Sequence, residues 1–139
     1  MFINLAGPIA EVTVRSHARV LDNGLDDTTA ALFRFASGAT ANFATLAYAP
    51  RYWRVALFGT DGIAELHGHE HLAFTPREGT GWTKDFPKTD IEAAELSAFA
   101  AAVAGGPAYP LPVEEAIHGV AVYEAMIGAA ASGSTYSVA

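Results

Sequence analysis

The stretch TTAALFRFASGATANFATLAY, residues 28–48, decides the architecture. It holds two β-like runs, 28–36 and 39–48, with Ser37-Gly38 between them. Two residues of turn chemistry between such runs mark a hairpin. Upstream, IAEVTVRSHARV (9–20) alternates cleanly. Val12, Val14, Ser16, Ala18 and Val20 fall on one face, and Glu11, Thr13, Arg15, His17 and Arg19 on the other, which predicts a half-covered strand. LDNGLDD (21–27) between them is turn material, punctuated by Asn23-Gly24. Downstream, RYWRVALFG (51–59) predicts another strand, with Trp53, Val55 and Leu57 on one face and Tyr52, Arg54, Ala56 and Phe58 on the other. TDG (60–62) turns the chain into IAELHG (63–68).

After about residue 76 the pattern changes. PREGTGWTKDFPKTD (76–90) reads as loop with one short edge strand. TDIEAAELSAFAAAVAGG (89–106) has helical period: Thr89 and Glu92 stand at capping-box spacing, Leu96, Phe99, Ala100 and Val103 form a stripe, and Gly105 ends it. After the stiff connector GGPAYPLP, Pro112 fits the first position of a second helix running to about Ser132 and stopped by Gly133. Its apolar stripe is Val113, Ile117, Val120 and Ile127, with Glu124 on the same line and expected partly buried in a hydrogen-bond network. Gly119 and Gly128 cost helix propensity and predict a close approach of helix to sheet. TYSV (135–138) reads as a final strand. Strands first and helices last predict one α+β domain over 1–139, a mainly antiparallel open sheet with two long helices packed on one face.

Composition narrows the function. At 139 residues and 51% hydrophobic, the chain suits a folded domain. Fifteen acidic against eight basic side chains give a net charge of -7, which argues against nucleic acid and anionic lipid as partners. No apolar run is long enough to span a membrane. The opening MFINLAGPIA has no basic leader, so the cytoplasm is the expected location. Without cysteine there is no thiol nucleophile and no Cys-based zinc site.

ELHGHEHLAF (65–74) places His67, His69 and His71 at alternate positions. On one strand the three imidazoles would share a face and suit zinc. The flanking strands instead predict a hairpin, 63–67 and 71–76, with Gly68-His69-Glu70 as its loop. His67 and His71 then stand opposite each other and His69 projects at the tip, so an exposed turn is expected and no metal ligand is assigned. His17 reads as a surface histidine, and His118 as pairing along its helix with Glu114 and Glu115.

Five stretches, taken in order, are similar to a known family. They are LAGPIAEVTV (5–14), DDTTAALFRFASGATANF (26–43), VALFGTDGIAEL (55–66), ELSAFAAAVAGGPAYPLPVEEAIHGVAV (95–122) and EAMIGAAASG (124–133). The set resembles the C-terminal domain of the glucose–fructose oxidoreductase / inositol dehydrogenase / rhizopine-catabolism (Gfo/Idh/MocA) family. The resemblance implies a substrate-covering and oligomer-building domain, joined in family enzymes to an N-terminal Rossmann domain that binds NAD(P). This sequence contains no Gly-x-Gly-x-x-Gly, no Glu-Lys-Pro motif and no Asp-x-x-x-His helix. Hence no catalytic and no cofactor-binding residue is assigned, NAD or NADP is expected only for a parent enzyme, and the chain alone is expected inactive. A domain fragment, a truncated product and a free-standing, non-enzymatic dimeric ligand- or subunit-binding module all stay open.

The substrate-binding candidates are Tyr48, Arg51 and Trp53 around YAPRYW. Aromatic faces stack on sugar C–H groups, and a guanidinium forks hydroxyls or carboxylates. The resemblance implies a sugar or polyol at this sheet end; the plainer alternative is a solvated hairpin end with Trp53 in the core. Leu32, Leu46 and Phe58 face away from the apolar side formed by Phe33, Phe35, Phe43, Val55 and Leu57. That second apolar patch predicts a homo-oligomer, a dimer through the open sheet face.

Overall fold

Alternating strands, a long loop anchored by one aspartate and a thin-faced helix build the first part of the fold. The computed structural model describes residues 1–139. In chain order the elements are α1 (Phe2–Ala6), β1 (Ile9–His17), β2 (Thr28–Phe35), β3 (Thr40–Leu46), β4 (Arg54–Gly59), β5 (Gly62–His67), β6 (His71–Pro76), β7 (Trp82–Asp85), α2 (Ile91–Val103), α3 (Val113–Ser132) and β8 (Tyr136–Ser137). The α+β class and the antiparallel pairing expected from the sequence are found. The strands divide into two four-stranded sheets, in two compact units: Met1–Tyr48 with Tyr109–Ala139, and Ala49–Ala108.

In the first unit the sheet order is β3-β2-β1-β8. Val12 and Val14 of β1 point inward as the alternation requires, beside Ala31, Phe33 and Phe35 of β2. Ile9 has the wrong parity for that face. A bulge between Ile9 and Glu11 inserts one residue and turns Ile9 inward too. Phe2 of α1 meets Phe33 edge-on, ring centroids 5.6 Å apart.

Helix α3 covers this face with Val122, Ala125 and Ala129, all buried. The stripe expected to do so, Val113, Ile117, Val120 and Ile127, lies on the opposite side, and each member is well exposed. Glu124 is exposed with it rather than held in a network. The reason is steric. The sheet already supplies the bulk in its phenylalanines and valines, so the helix must present its narrow, alanine-rich side to come close. His118 also lies on the sheet side. Its Nε2 accepts the Ile9 N–H at 3.0 Å, in place of the expected pairing with Glu114 and Glu115.

The β1–β2 connection is organised by Asp27, 4% exposed. Its carboxylate accepts the backbone N–H groups of Arg19, Val20 and Leu21 and the Thr28 hydroxyl. Those bonds, the Leu21 and Val20 N–H groups foremost, outweigh desolvation and hold the carboxyl far below its ordinary value of 3.8.

The second unit is a meander, β4-β5-β6-β7. A three-residue turn falls at 68–70, as the sequence predicts, and a two-residue turn at 60–61, with Gly62 of the expected 60–62 turn already in β5. Directly paired residues share a face, so Val55, Leu66 and Leu72 line up on one side, with Leu57, Ala64, Phe74 and Trp82 in the next row. None of them is fully buried. In α2 the cap is Asp90, whose Oδ1 accepts the Ala93 N–H at 3.0 Å; Thr89 bonds the Pro87 carbonyl instead of forming the expected capping box. Leu96, Phe99 and Val103 are more than half exposed. The other sides of α2 are alanine-rich, so the stripe has no polar face opposite it to orient the helix.

Two outcomes follow. A depressed carboxyl stabilises above its unfolded pKa, and that contribution is lost as pH falls through the folded one. Urea midpoints of the wild type should therefore fall as pH drops below about 4, while Asp27→Asn should be less stable at neutral pH and show a flatter acid limb. A Cβ on Gly128 would stand 2.4 Å from Cε1 of Tyr136. Gly128→Ala gains about 1 kcal/mol of helix propensity but must push that ring aside, at about 1–3 kcal/mol. Calorimetry should show a melting temperature no higher than wild type and typically a few degrees lower; a clear rise would refute the close approach.

Candidate functional site

The segment 47–54 leaves β3, crosses from one unit to the other and enters β4. Tyr48 ends the first unit in a turn and is 71% exposed. Arg51 and Tyr52 are exposed, and both precede β4, which begins at Arg54 instead of residue 51. Pro50 interrupts the extended pattern there, having no N–H to give a ladder. Trp53 is neither core nor free. It is half-buried, its carbonyl accepts the Gly68 N–H at 2.9 Å, and its ring lies against His69, centroids 4.5 Å apart at 34°. The hairpin tip thus braces the indole. Arg51 and Trp53 belong to the second unit and Tyr48 to the first.

Beside them a polar row crosses the second sheet. Register pairs Arg54 with His67, His67 with His71, and His71 with Asp85. Arg54 forms an ion pair with Glu65, one row further on, which raises the guanidinium pKa above its ordinary value; Tyr52 adds to the same effect. The sequence places Tyr52 and Arg54 on one strand face but gives no signal for this ion pair. The pair becomes visible once the turn at 60–61 fixes the β4–β5 register.

The same register sets where the three histidines stand. His67 and His71 do stand opposite each other, as the hairpin predicts. His71 Nδ1 lies 2.6 Å from Asp85 Oδ1, so β7, not β5, supplies its partner. His69 is held at the tip against Trp53. No three histidine, aspartate or glutamate side chains converge closely enough to hold a metal ion. Zinc titration of chelator-treated protein at neutral pH should show no stoichiometric sub-micromolar binding; such binding, lost in His67→Ala, would overturn this assignment.

The model of the GFO/IDH/MocA C-terminal domain matches residues 1–65. None of the curated proteins compared matches the chain. Among solved structures, an oxidoreductase from Agrobacterium radiobacter in complex with NAD+, L-tartaric acid and magnesium superimposes with TM-score 0.81 at 18% identity, over 99% of this chain and 45% of that one. Aldose-aldose oxidoreductase from Caulobacter crescentus, complexed with glycerol, gives 0.77 at 20% identity over 97% and 43%. Levoglucosan dehydrogenase with NADH and L-sorbose gives 0.76 at 19% identity over 99% and 47%. The chain therefore spans less than half the length of these structures. Its residues 1–65 match the C-terminal domain model of that family, and its fold is the one these oxidoreductase structures share over the same portion. No helix is long and apolar enough to cross a membrane.

Proposed function

We propose that this chain is the substrate-side and oligomer-forming domain of an NAD(P)-dependent oxidoreductase. The parent enzyme passes hydride between the nicotinamide and a secondary alcohol of a sugar, polyol or related compound. The observation that carries this reading is the asymmetric fold match: nearly all of this chain corresponds to less than half of enzymes crystallised with NAD+ or NADH and with tartaric acid or sorbose. The missing half is where a Rossmann domain and its cofactor belong.

Tyr48 of the first unit, and Arg51 and Trp53 of the second, are each substrate-binding residues in this proposal. Exposure of Tyr48 and Arg51 leaves a phenol and a guanidinium available to hydroxyl or carboxylate groups, and the braced indole offers an apolar edge. Homodimerisation runs through the open face of the first sheet. Register sets Leu32 there between Thr13 and Asn42, and Ala30 between Arg15 and Ala44, an apolar floor with polar rims. Leu32 and Leu46 are about half exposed on it. A cytoplasmic location accompanies this role.

The test has two arms. The chain at tens of micromolar should sediment as a dimer that Leu32→Glu dissociates, and a monodisperse wild-type monomer would remove the dimer. Calorimetry of the isolated chain should detect no NAD(H) or NADP(H) binding, while the enzyme carrying both domains should show a raised sugar KM with Arg51→Ala and an unchanged cofactor KM. Micromolar NAD(H) binding by the chain alone, or an unchanged sugar KM, would overturn the corresponding assignment.

A further inference from the structure

The loop between β1 and β2 holds the sequence Asp22-Asn23-Gly24-Leu25. All four residues are exposed. Its ends are fixed: Asp27 gathers the N–H groups of Arg19, Val20 and Leu21, and the Asp27 N–H bonds the His17 carbonyl. Within that frame the Asn23 side chain turns forward, and its Oδ1 accepts the Leu25 N–H at 3.0 Å. Gly24 has φ +75°, and nothing lies within 4 Å of where a Cβ would stand. Its own amide makes no hydrogen bond to backbone or side chain.

We infer that Asn23 is a site of spontaneous self-modification, converting through a succinimide to aspartate and isoaspartate. The Gly24 amide nitrogen gives its proton to solvent and attacks Cγ of Asn23. A nitrogen–carbon bond forms and the carbonyl electron pair moves onto Oδ1. The Leu25 N–H already points at that oxygen and stabilises the charge developing on it, as an oxyanion donor does. Collapse of the intermediate breaks the Cγ–Nδ2 bond, and the nitrogen leaves as ammonia after taking up a proton. Water then opens the ring at either carbonyl. No oxidant or co-reactant is needed. The absence of a side chain on Gly24 removes the steric barrier to the attack.

The chain supplies its own controls. Asn4 lies in α1 and Asn42 in β3, each followed by a bulky residue. The Leu5 amide is engaged with the Met1 carbonyl. The product adds one negative charge to a loop already holding Asp22, Asp26 and Asp27, and the isoaspartyl form lengthens the main chain between two anchored ends. The strands themselves are untouched.

The intact chain, held at mildly alkaline pH and body temperature in 18O-labelled water, tests this by peptide mapping. Expected are 18O incorporation and a mix of aspartyl and isoaspartyl product at residue 23, none at Asn4 or Asn42 over the same interval, and a several-fold slower reaction in Gly24→Ala and Asn23→Gln. The same measurement in urea separates sequence from structure: native protein should react at least as fast as the unfolded chain. Equal conversion at all three asparagines, an inert Asn23, or protection of Asn23 by folding would each overturn the inference.

Discussion

The close approach of α3 to β1 and β2 is the contact on which the rest depends. Every fully buried apolar side chain of the protein lies on these three elements. Side chains this deep account for most of a small domain's apolar burial, at about 25 cal/mol per Å² removed from water. The contact works because bulk and smallness are divided between its partners. Phe33, Phe35, Val12 and Val14 fill the sheet side, and Val122, Ala125 and Ala129 keep the helix side thin. Gly128 extends this logic to the sheet edge, where the Tyr136 ring of β8 occupies the space a side chain would need. Thr13 and Thr135 hydroxyls bond nearby, and Arg15 bonds the Gly133 carbonyl beyond the last turn of α3. Strand β8 is thus tied to the helix that precedes it.

The second unit is held differently. Its meander has an apolar row on one face and a charged row on the other, but no fully buried side chain. Ladder hydrogen bonds, short turns and cross-strand pairs such as Arg54–Glu65 and Phe74–Trp82 carry it. Each contributes little alone, about 0.2–1 kcal/mol for a cross-strand pair. Local opening should therefore be easier here than in the first unit, where the same backbone pattern is capped by α3. Tyr48, Arg51 and Trp53 straddle the change from one regime to the other.

How much of this was legible in the sequence follows from which signals are local. Period-two alternation located β1 within a few residues, and Ser37-Gly38, Thr60-Asp61-Gly62 and Gly68-His69-Glu70 located the turns, the second one residue too long. The hairpin pairing of His67 with His71 followed from those turns. The bulge at Ile9 was not legible, because one inserted residue changes parity without changing composition. The face of α3 was read backwards for a similar reason. Hydrophobicity ranks valine and isoleucine above alanine, whereas the sheet selects for size. The Asp90 cap stood one residue from the expected Thr89. For the candidate site, the residues were legible but not their company: that Trp53 leans on His69, or that Asp85 claims His71, requires the strand order. The division of the strands into two sheets gave no sequence signal, since its boundary falls in an ordinary loop.

The inverted face of α3 bears on function as well as fold. A helix that buries alanines and exposes Val113, Ile117, Val120, Tyr123 and Ile127 is more apolar outside than inside. Contiguous exposed apolar surface marks a place where something else packs. The chain spans less than half of the structures it resembles, and the proposed role as one domain of a two-domain, oligomeric oxidoreductase gives such surface a use. Glu124 sits on this stripe and Glu114 lies toward its edge, and the helix carries no lysine or arginine. A second copy of α3 laid against the first would therefore bring carboxylates together at a low-dielectric seam, which is unfavourable. The open face of the first sheet carries both signs in Glu11, Arg15 and Arg34, and Glu11 and Arg34 already neutralise each other there. For the proposed dimer, charge thus favours the sheet over the helix as the contact surface.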